Sequence, residues 1–118
     1  MKTRGTVVVI RDGKVLLVRD KGHKNFSLPG GGVKKNEPSL AAAVRELYEE
    51  LKMSARKAER VFRCDFMGTA SEHKVSLIET DDDEPKLRDK ELAQFIWWNR
   101  RKEIPRYAHV DQILKKLD

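Results

Sequence analysis

From Gly31 to Met53 the chain reads GGVKKNEPSLAAAVRELYEELKM. Leu40, Val44, Leu47 and Leu51 recur at helical spacing and define a core face, with Glu46 and Glu50 roughly opposite. Glu46, Glu49 and Glu50 share one helical turn at i,i+3 and i,i+4, so the three carboxylates repel one another. They also sit toward the negative end of the helix dipole, which costs roughly 0.3–1 kcal/mol per exposed charge. A divalent cation would turn this penalty into binding. The preceding Leu28-Pro29-Gly30-Gly31-Gly32-Val33 offers consecutive glycines whose backbone can approach a ligand or metal closely. Asn36 or Glu37 is expected to cap the helix, with Pro38 in its first turn, where a missing N–H costs nothing.

Outward from this unit, the chain is organised without repeats or low-complexity linkers. Thr6 to Ile10 and Val15 to Val18 are β-branched-rich runs joined through Arg11-Asp12-Gly13-Lys14, a hairpin signal. Phe26-Ser27-Leu28 reads as a short strand feeding the glycine turn. Beyond the helix, Arg60 to Met67, Lys74 to Thr80 and Phe95 to Trp98 read as strands, and Val110, Ile113, Leu114 and Leu117 mark a final helix. Strands, helix, strands, helix is an α+β order of elements.

The 118 residues fit one domain, 1–118, large enough to bury roughly 60% of the unfolded surface. Cys64 is the only cysteine, so no internal disulfide forms. Its place in Val61-Phe62-Arg63-Cys64-Asp65-Phe66 suggests a packed strand residue and a reducing, cytoplasmic setting. Thr6 to Ile10 is too short for a signal segment or a membrane span, so the expectation is a soluble protein with no membrane partner. Lys and Arg total 25 against 19 Asp and Glu, a net charge of +6. Such a surface attracts polyphosphates or nucleic acid. The basic clusters, Lys34-Lys35, Arg56-Lys57 and Arg100-Arg101-Lys102, are short and scattered, so nucleic acid is not the favoured partner. Lys34 and Lys35 border the glycine turn and are candidates for contact with substrate phosphates.

The Gly31–Met53 stretch resembles the Nudix box, G-x5-E-x7-R-E-U-x-E-E-x-G-U, with U aliphatic. Gly31 matches the first glycine, Glu37 the first glutamate, Arg45-Glu46 the R-E pair, Leu47 the first U, Glu49-Glu50 the E-E pair and Met53 the last U. Lys52 departs from the motif, standing where the second glycine belongs. A β-carbon in the left-handed cap conformation costs on the order of 1 kcal/mol, so some stability rather than chemistry is expected to be lost. Phe26-Ser27-Leu28-Pro29-Gly30-Gly31 is similar to the family's aromatic-x-Leu-Pro-Gly-Gly lead-in. Glu91 to Trp97 is similar to its later glutamate-before-strand segment. The resemblance implies the Nudix fold, a mixed β-sheet sandwiched between helices (α/β/α), and a Mg2+-dependent pyrophosphohydrolase acting on a nucleoside diphosphate linked to another moiety X.

Hydrolysing a diphosphate requires neutralising phosphoryl oxygens and positioning water in line. Mg2+, with Mn2+ as a substitute, prefers oxygen ligands and binds through one or two carboxylates, waters and the phosphates themselves. Glu49 and Glu50 are the leading ligands, and Glu46 is a further ligand or the general base. By resemblance the Gly31 region adds a backbone carbonyl, and Glu91 is a candidate extra ligand or base. Arg45 and Glu37 are expected to hold each other and the loop, with Arg45 also counted in the catalytic group. Gly30, Gly32, Lys34 and Lys35 are the candidate substrate contacts. In a strand Trp97 and Trp98 face opposite ways, and Phe95 shares a face with Trp97, leaving Trp98 as an outward candidate for stacking on a base. His23, His73 and His109 have no metal spacing and read as ordinary polar residues. The acidic run from Glu79 to Glu84 reads as a solvated loop.

Subfamily markers downstream of the box, a proline for ADP-ribose hydrolases or a tyrosine for some dinucleoside polyphosphate hydrolases, are absent, with Gly68 and Ala70 in that region. Their absence favours a (d)NTP or oxidised nucleotide of the MutT kind. Hydrolysis of dinucleoside polyphosphates or ADP-ribose-type compounds, and a non-catalytic nucleotide- or RNA-binding module, are the alternatives.

Overall fold

The computed structural model describes residues 1–118. Thr6-Val7-Val8-Val9 is buried without interruption, as expected of a strand covered on both faces. It belongs to β1 (Lys2–Val8), which lies parallel to β7 (Ser71–Thr80), with Lys2 opposite Ser71 and Val8 opposite Leu77. On its other edge β1 pairs antiparallel with β4 (Gly30–Gly32), Thr6 opposite Gly30. β5 (Ala55–Arg60) and β6 (Phe66–Met67) complete this sheet against β7. A second sheet runs β2 (Ile10–Arg11), β3 (Lys14–Asp20), β8 (Leu92–Trp98). The two sheets are tied where Leu16 N–H donates to Val9 O at 3.0 Å and Val18 N–H to Ser27 O at 2.9 Å.

Helices cover both faces. α1 (Ser39–Leu51) packs over β1, at a distance that only glycine permits: a β-carbon on Gly5 would lie 2.8 Å from Ala43 N and 2.9 Å from Ser39 O. α2 (Ala108–Leu117) closes the opposite side. Alternation along the strands divides the core accordingly. Val7, Val9, Leu16 and Val18 join Leu47, Leu51 and Met53 beneath α1, while Val8, Val15 and Leu17 join Val110, Ile113 and Leu114 beneath α2. Each fully buried aliphatic chain contributes about 1.5–3 kcal/mol. No helix is long and apolar enough to cross a membrane.

The structure revises several sequence boundaries. The Thr6–Ile10 run is split at Val9, so that its two ends serve different sheets. Phe26-Ser27-Leu28 makes only single bridges, Ser27 with Val18 and Phe26 with Arg106. The expected Arg60–Met67 strand is instead the end of β5, a 3-10 turn at Phe62–Cys64, and β6. Cys64 is fully buried, in that turn rather than in a strand. Neither Asn36 nor Glu37 caps α1. Pro38 occupies the N-cap position without a side-chain hydrogen bond. Of the expected core face of α1, Leu47 and Leu51 are fully buried together with Ala42 and Ala43, whereas Leu40 and Val44 are half-buried. Lys52 adopts the left-handed conformation (φ 56°, ψ 35°) and donates its N–H to Tyr48 O, so the helix ends as a glycine would end it, with the strain retained.

Candidate functional site

Three consecutive glycines of β4 meet three residues of α1 in reverse order. Gly30, at φ 143°, donates its N–H to Glu50 Oε1 at 3.1 Å. Gly31 lies so close to Glu46 that a β-carbon there would overlap the carboxyl group. Gly32 O accepts from Arg45 Nη2 at 3.0 Å. The arrangement follows from β4 pairing along β1 while α1 packs over it.

Arg45 is the hub of this surface. Its Nε donates to Glu37 Oε2 at 2.9 Å and its Nη2 to Glu37 Oε1 at 3.0 Å, a bidentate pair. Its Nη1 reaches Glu46 Oε1 at 2.8 Å and Glu49 Oε2 at 3.2 Å. Glu37 also accepts from Lys34 N–H at 2.9 Å. Hydrogen bonds from Arg45, then from the Lys34 backbone, hold the Glu37 carboxyl down to about 2. The same contacts raise Arg45 above its ordinary value. Arg45 and Glu37 hold each other and the glycine loop, as their opposite charges suggested.

Glu50 is 8% exposed. Burial pushes its carboxyl up to about 8, against the opposing Gly30 N–H; Glu46 and Asp89 add to the rise and Arg4 works against it. No side-chain cation pairs with it. An all-oxygen set of Glu46, Glu49 and Glu50 has the chemistry that suits a hard divalent ion. In the present arrangement no three acidic, histidine or cysteine side chains are gathered closely enough to hold an ion. Glu46 faces Gly31, Glu50 faces Gly30, and the Glu49 side chain, 55% exposed, leans on Arg45.

The remaining candidates lie around this centre. Leu47 and Met53 are core residues. Lys34 and Lys35 are exposed on the loop after β4, with no side-chain partner. Glu91 is exposed in the turn before β8, where its carbonyl accepts from Lys21 N–H at 2.7 Å. Trp98 requires a correction: it is 5% exposed, packs in the α2-side core and donates Nε1–H to Lys102 O at 2.8 Å. With helices on both faces of the sheets, opposite sides of a strand are both interior. Trp97 does share its layer with Phe95. The acidic loop after β7 is held by Arg11, which donates to Asp81 O and Asp83 O.

Sequence reading missed four residues. Arg88 N–H donates to Glu50 O at 3.0 Å, bringing Asp89 beside the end of α1. Arg4 lies at the junction of the carboxylates and a cleft of about 510 Å³, lined also by Ser27, Phe66, His73, Tyr107 and His109. His73 and His109 stack at 4.3 Å. Burial keeps both imidazoles neutral, lowering His73 to about 4 with help from Arg4, and His109 to about 3 with help from His73 and Arg4. Contacts between residues this far apart in sequence leave no periodicity to read.

Comparison with known proteins places this geometry. The NUDIX domain profile matches residues 1–117. An RNA pyrophosphohydrolase of Pelagibacter ubique (strain HTCC1062) is 44% identical over 63 residues, 52% of this chain and 39% of that protein. One of Halorhodospira halophila (strain DSM 244 / SL1) is 45% identical over 47 residues, 40% of this chain and 26% of that protein. The matches thus span well under half the length of these relatives. Among solved structures, a MutT NUDIX hydrolase from Burkholderia pseudomallei superposes with a TM-score of 0.84 at 23% identity, covering 99% of this chain and 98% of that one. A C. elegans Ap4A hydrolase gives 0.77 at 20% identity, covering 98% and 95%. These likenesses show the fold alone, an α+β sandwich with a mixed and an antiparallel sheet between two helices. With the profile covering nearly the whole chain, and the loop and helix of its box in place, this protein belongs to the NUDIX domain family.

Proposed function

We propose that this protein is a Mg2+-dependent pyrophosphohydrolase, with Mn2+ as a substitute, that cuts a phosphoanhydride bond in a nucleoside diphosphate linked to another moiety X. The observation that carries the reading is Glu50: a carboxyl group buried against the glycine turn, held by Gly30 N–H and with no cationic side chain paired to it. Glu46, Glu49 and Glu50 would hold the metal, which when bound neutralises phosphoryl oxygens and lowers the pKa of coordinated water. The chain's own residues do the positioning. Gly30 N–H fixes the Glu50 oxygen, and Gly31 leaves the space that Glu46 fills. Arg45 holds the loop against the helix through Gly32 O and Glu37. If Glu49 and Glu50 suffice to hold the metal, Glu46 is the candidate general base for the attacking water instead of a third ligand. Lys34 and Lys35, exposed beside the turn, attract the phosphates.

The substrate favoured is a small nucleotide, a (d)NTP or oxidised nucleotide, held with its nucleoside in the 510 Å³ cleft beside Arg4. A second reading is favoured by the relatives named RNA pyrophosphohydrolase and by the net charge of +6, namely a 5′-phosphorylated RNA end. A cytoplasmic setting agrees with the single, fully buried cysteine. Chromatographic separation of the phosphorylated products from nucleoside triphosphates, nucleoside diphosphate compounds and 5′-triphosphorylated RNA, each with Mg2+ and with EDTA, tests the proposal and separates the substrates.

A further inference from the structure

Two residues of the cleft, His109 and Arg4, carry donors without acceptors. Leu28 N–H donates to His109 Nε2 at 3.3 Å. In a neutral imidazole this leaves the proton on Nδ1, which has no protein acceptor. Arg4 has no carboxylate partner. Its one hydrogen bond is a long one, Nη2 to Leu28 O at 3.5 Å, and its Nε–H is buried without any acceptor. An orphaned buried donor is destabilising, and a short swing of the guanidinium toward an acceptor in the cleft would relieve it. The one carboxylate lining the cleft, Asp20, is on an exposed residue at its rim. The side walls carry flat apolar surfaces from Phe66 and Tyr107, at either end of a row of rings running through His73 and His109. Such walls suit a planar ring better than a phosphate.

We infer that Arg4 and His109 make this cleft selective for a purine that presents two adjacent acceptors, the O6 and N7 of guanine or hypoxanthine, over adenine. The inference rests on the reading of the cleft as the nucleoside end of the proposed site. A guanidinium fork matches O6 and N7, whereas the N6 amino group of adenine would set a donor against donors.

Nucleoside monophosphates test this apart from any hydrolysis, because they contain no phosphoanhydride. Binding of GMP, IMP and AMP to the intact protein is measured by calorimetry or chemical-shift titration. The expected result is that GMP and IMP both bind at least about 5-fold more tightly than AMP, and that Arg4→Met narrows the ratio to within about 2-fold, with an unchanged circular-dichroism spectrum. Equal affinities, a preference for AMP, or a preference for GMP that IMP does not share would overturn the inference. So would an unchanged ratio in folded Arg4→Met. The wild-type comparison stands even where the variant fails to fold. A protein that binds in this order but cleaves no triphosphate would refute the proposed activity and leave the base selectivity intact.

Discussion

Gly30 donates its backbone N–H to Glu50 Oε1 across 3.1 Å, joining the glycine strand to the end of the acidic helix in a site that excludes nearly all solvent from that carboxylate. One hydrogen bond does not offset the lost hydration, and the group stays far above its ordinary value. Since the folded pKa is about 8 and the unfolded value about 4.5, the folded protein binds more protons between them. Stability conferred by protonated Glu50 is therefore complete below about pH 4.5 and is lost as pH rises toward 8. In EDTA, chemical denaturation should show stability falling by on the order of 1 kcal/mol per pH unit across this window. Glu50→Gln should flatten that slope, and Mg2+ should oppose it in the wild type by favouring the ionised form. An unchanged slope in Glu50→Gln would assign the dependence elsewhere.

Gly31 and Glu46 share one space. Gly31→Ala would push the Glu46 carboxyl aside. Because Gly31 has no positive φ, its backbone tolerates alanine, and the damage should fall on chemistry. Steady-state assays should find turnover reduced by roughly 100-fold, similar to Glu46→Gln, with a Tm close to that of the wild type.

Lys52 stands in the left-handed region at the end of α1. Lys52→Gly should relieve about 1 kcal/mol of strain, raising the Tm by roughly 2–6 °C in a thermal melt, with kcat/KM unchanged. A lower Tm would show that the lysine makes an interaction that outweighs the strain.

Glu37 is held ionised by Arg45 and Lys34 N–H. Its lowered pKa supplies stability above its unfolded value of about 4.5, and that contribution disappears as pH falls toward 2. Glu37→Gln should accordingly lower the Tm at pH 7 and reduce turnover by loosening Arg45 from the loop. The difference in Tm from the wild type should shrink in acid.

The parts of this structure legible in the sequence are local ones. The box helix, the Asp12-Gly13 hairpin and the α2 helix each announce themselves within a few residues, and Arg45 pairing with Glu37 follows from opposite charges eight residues apart. Alternation assigns Trp97 and Trp98 to opposite faces without telling whether either is wet, and both are covered. The apolar alternation over Arg60–Met67 fits one strand and equally fits a strand end, a 3-10 turn and a short second strand in succession. Arg4, Asp89 and the His73–His109 stack depend on β1, β7, α2 and the loop after β7 coming together, which no single window contains. The direction of each glutamate was equally invisible, since helical spacing places Glu46, Glu49 and Glu50 on a face but not at a common point.

The most direct test of the central claim is turnover of a nucleoside triphosphate panel by the wild type, Glu49→Gln and Glu50→Gln, each with Mg2+ and with EDTA. The account predicts cleavage into two phosphorylated products that requires the metal and falls by roughly 100-fold or more in both variants while their folds persist. Cleavage that survives EDTA, or that proceeds at the wild-type rate in either variant, would contradict it.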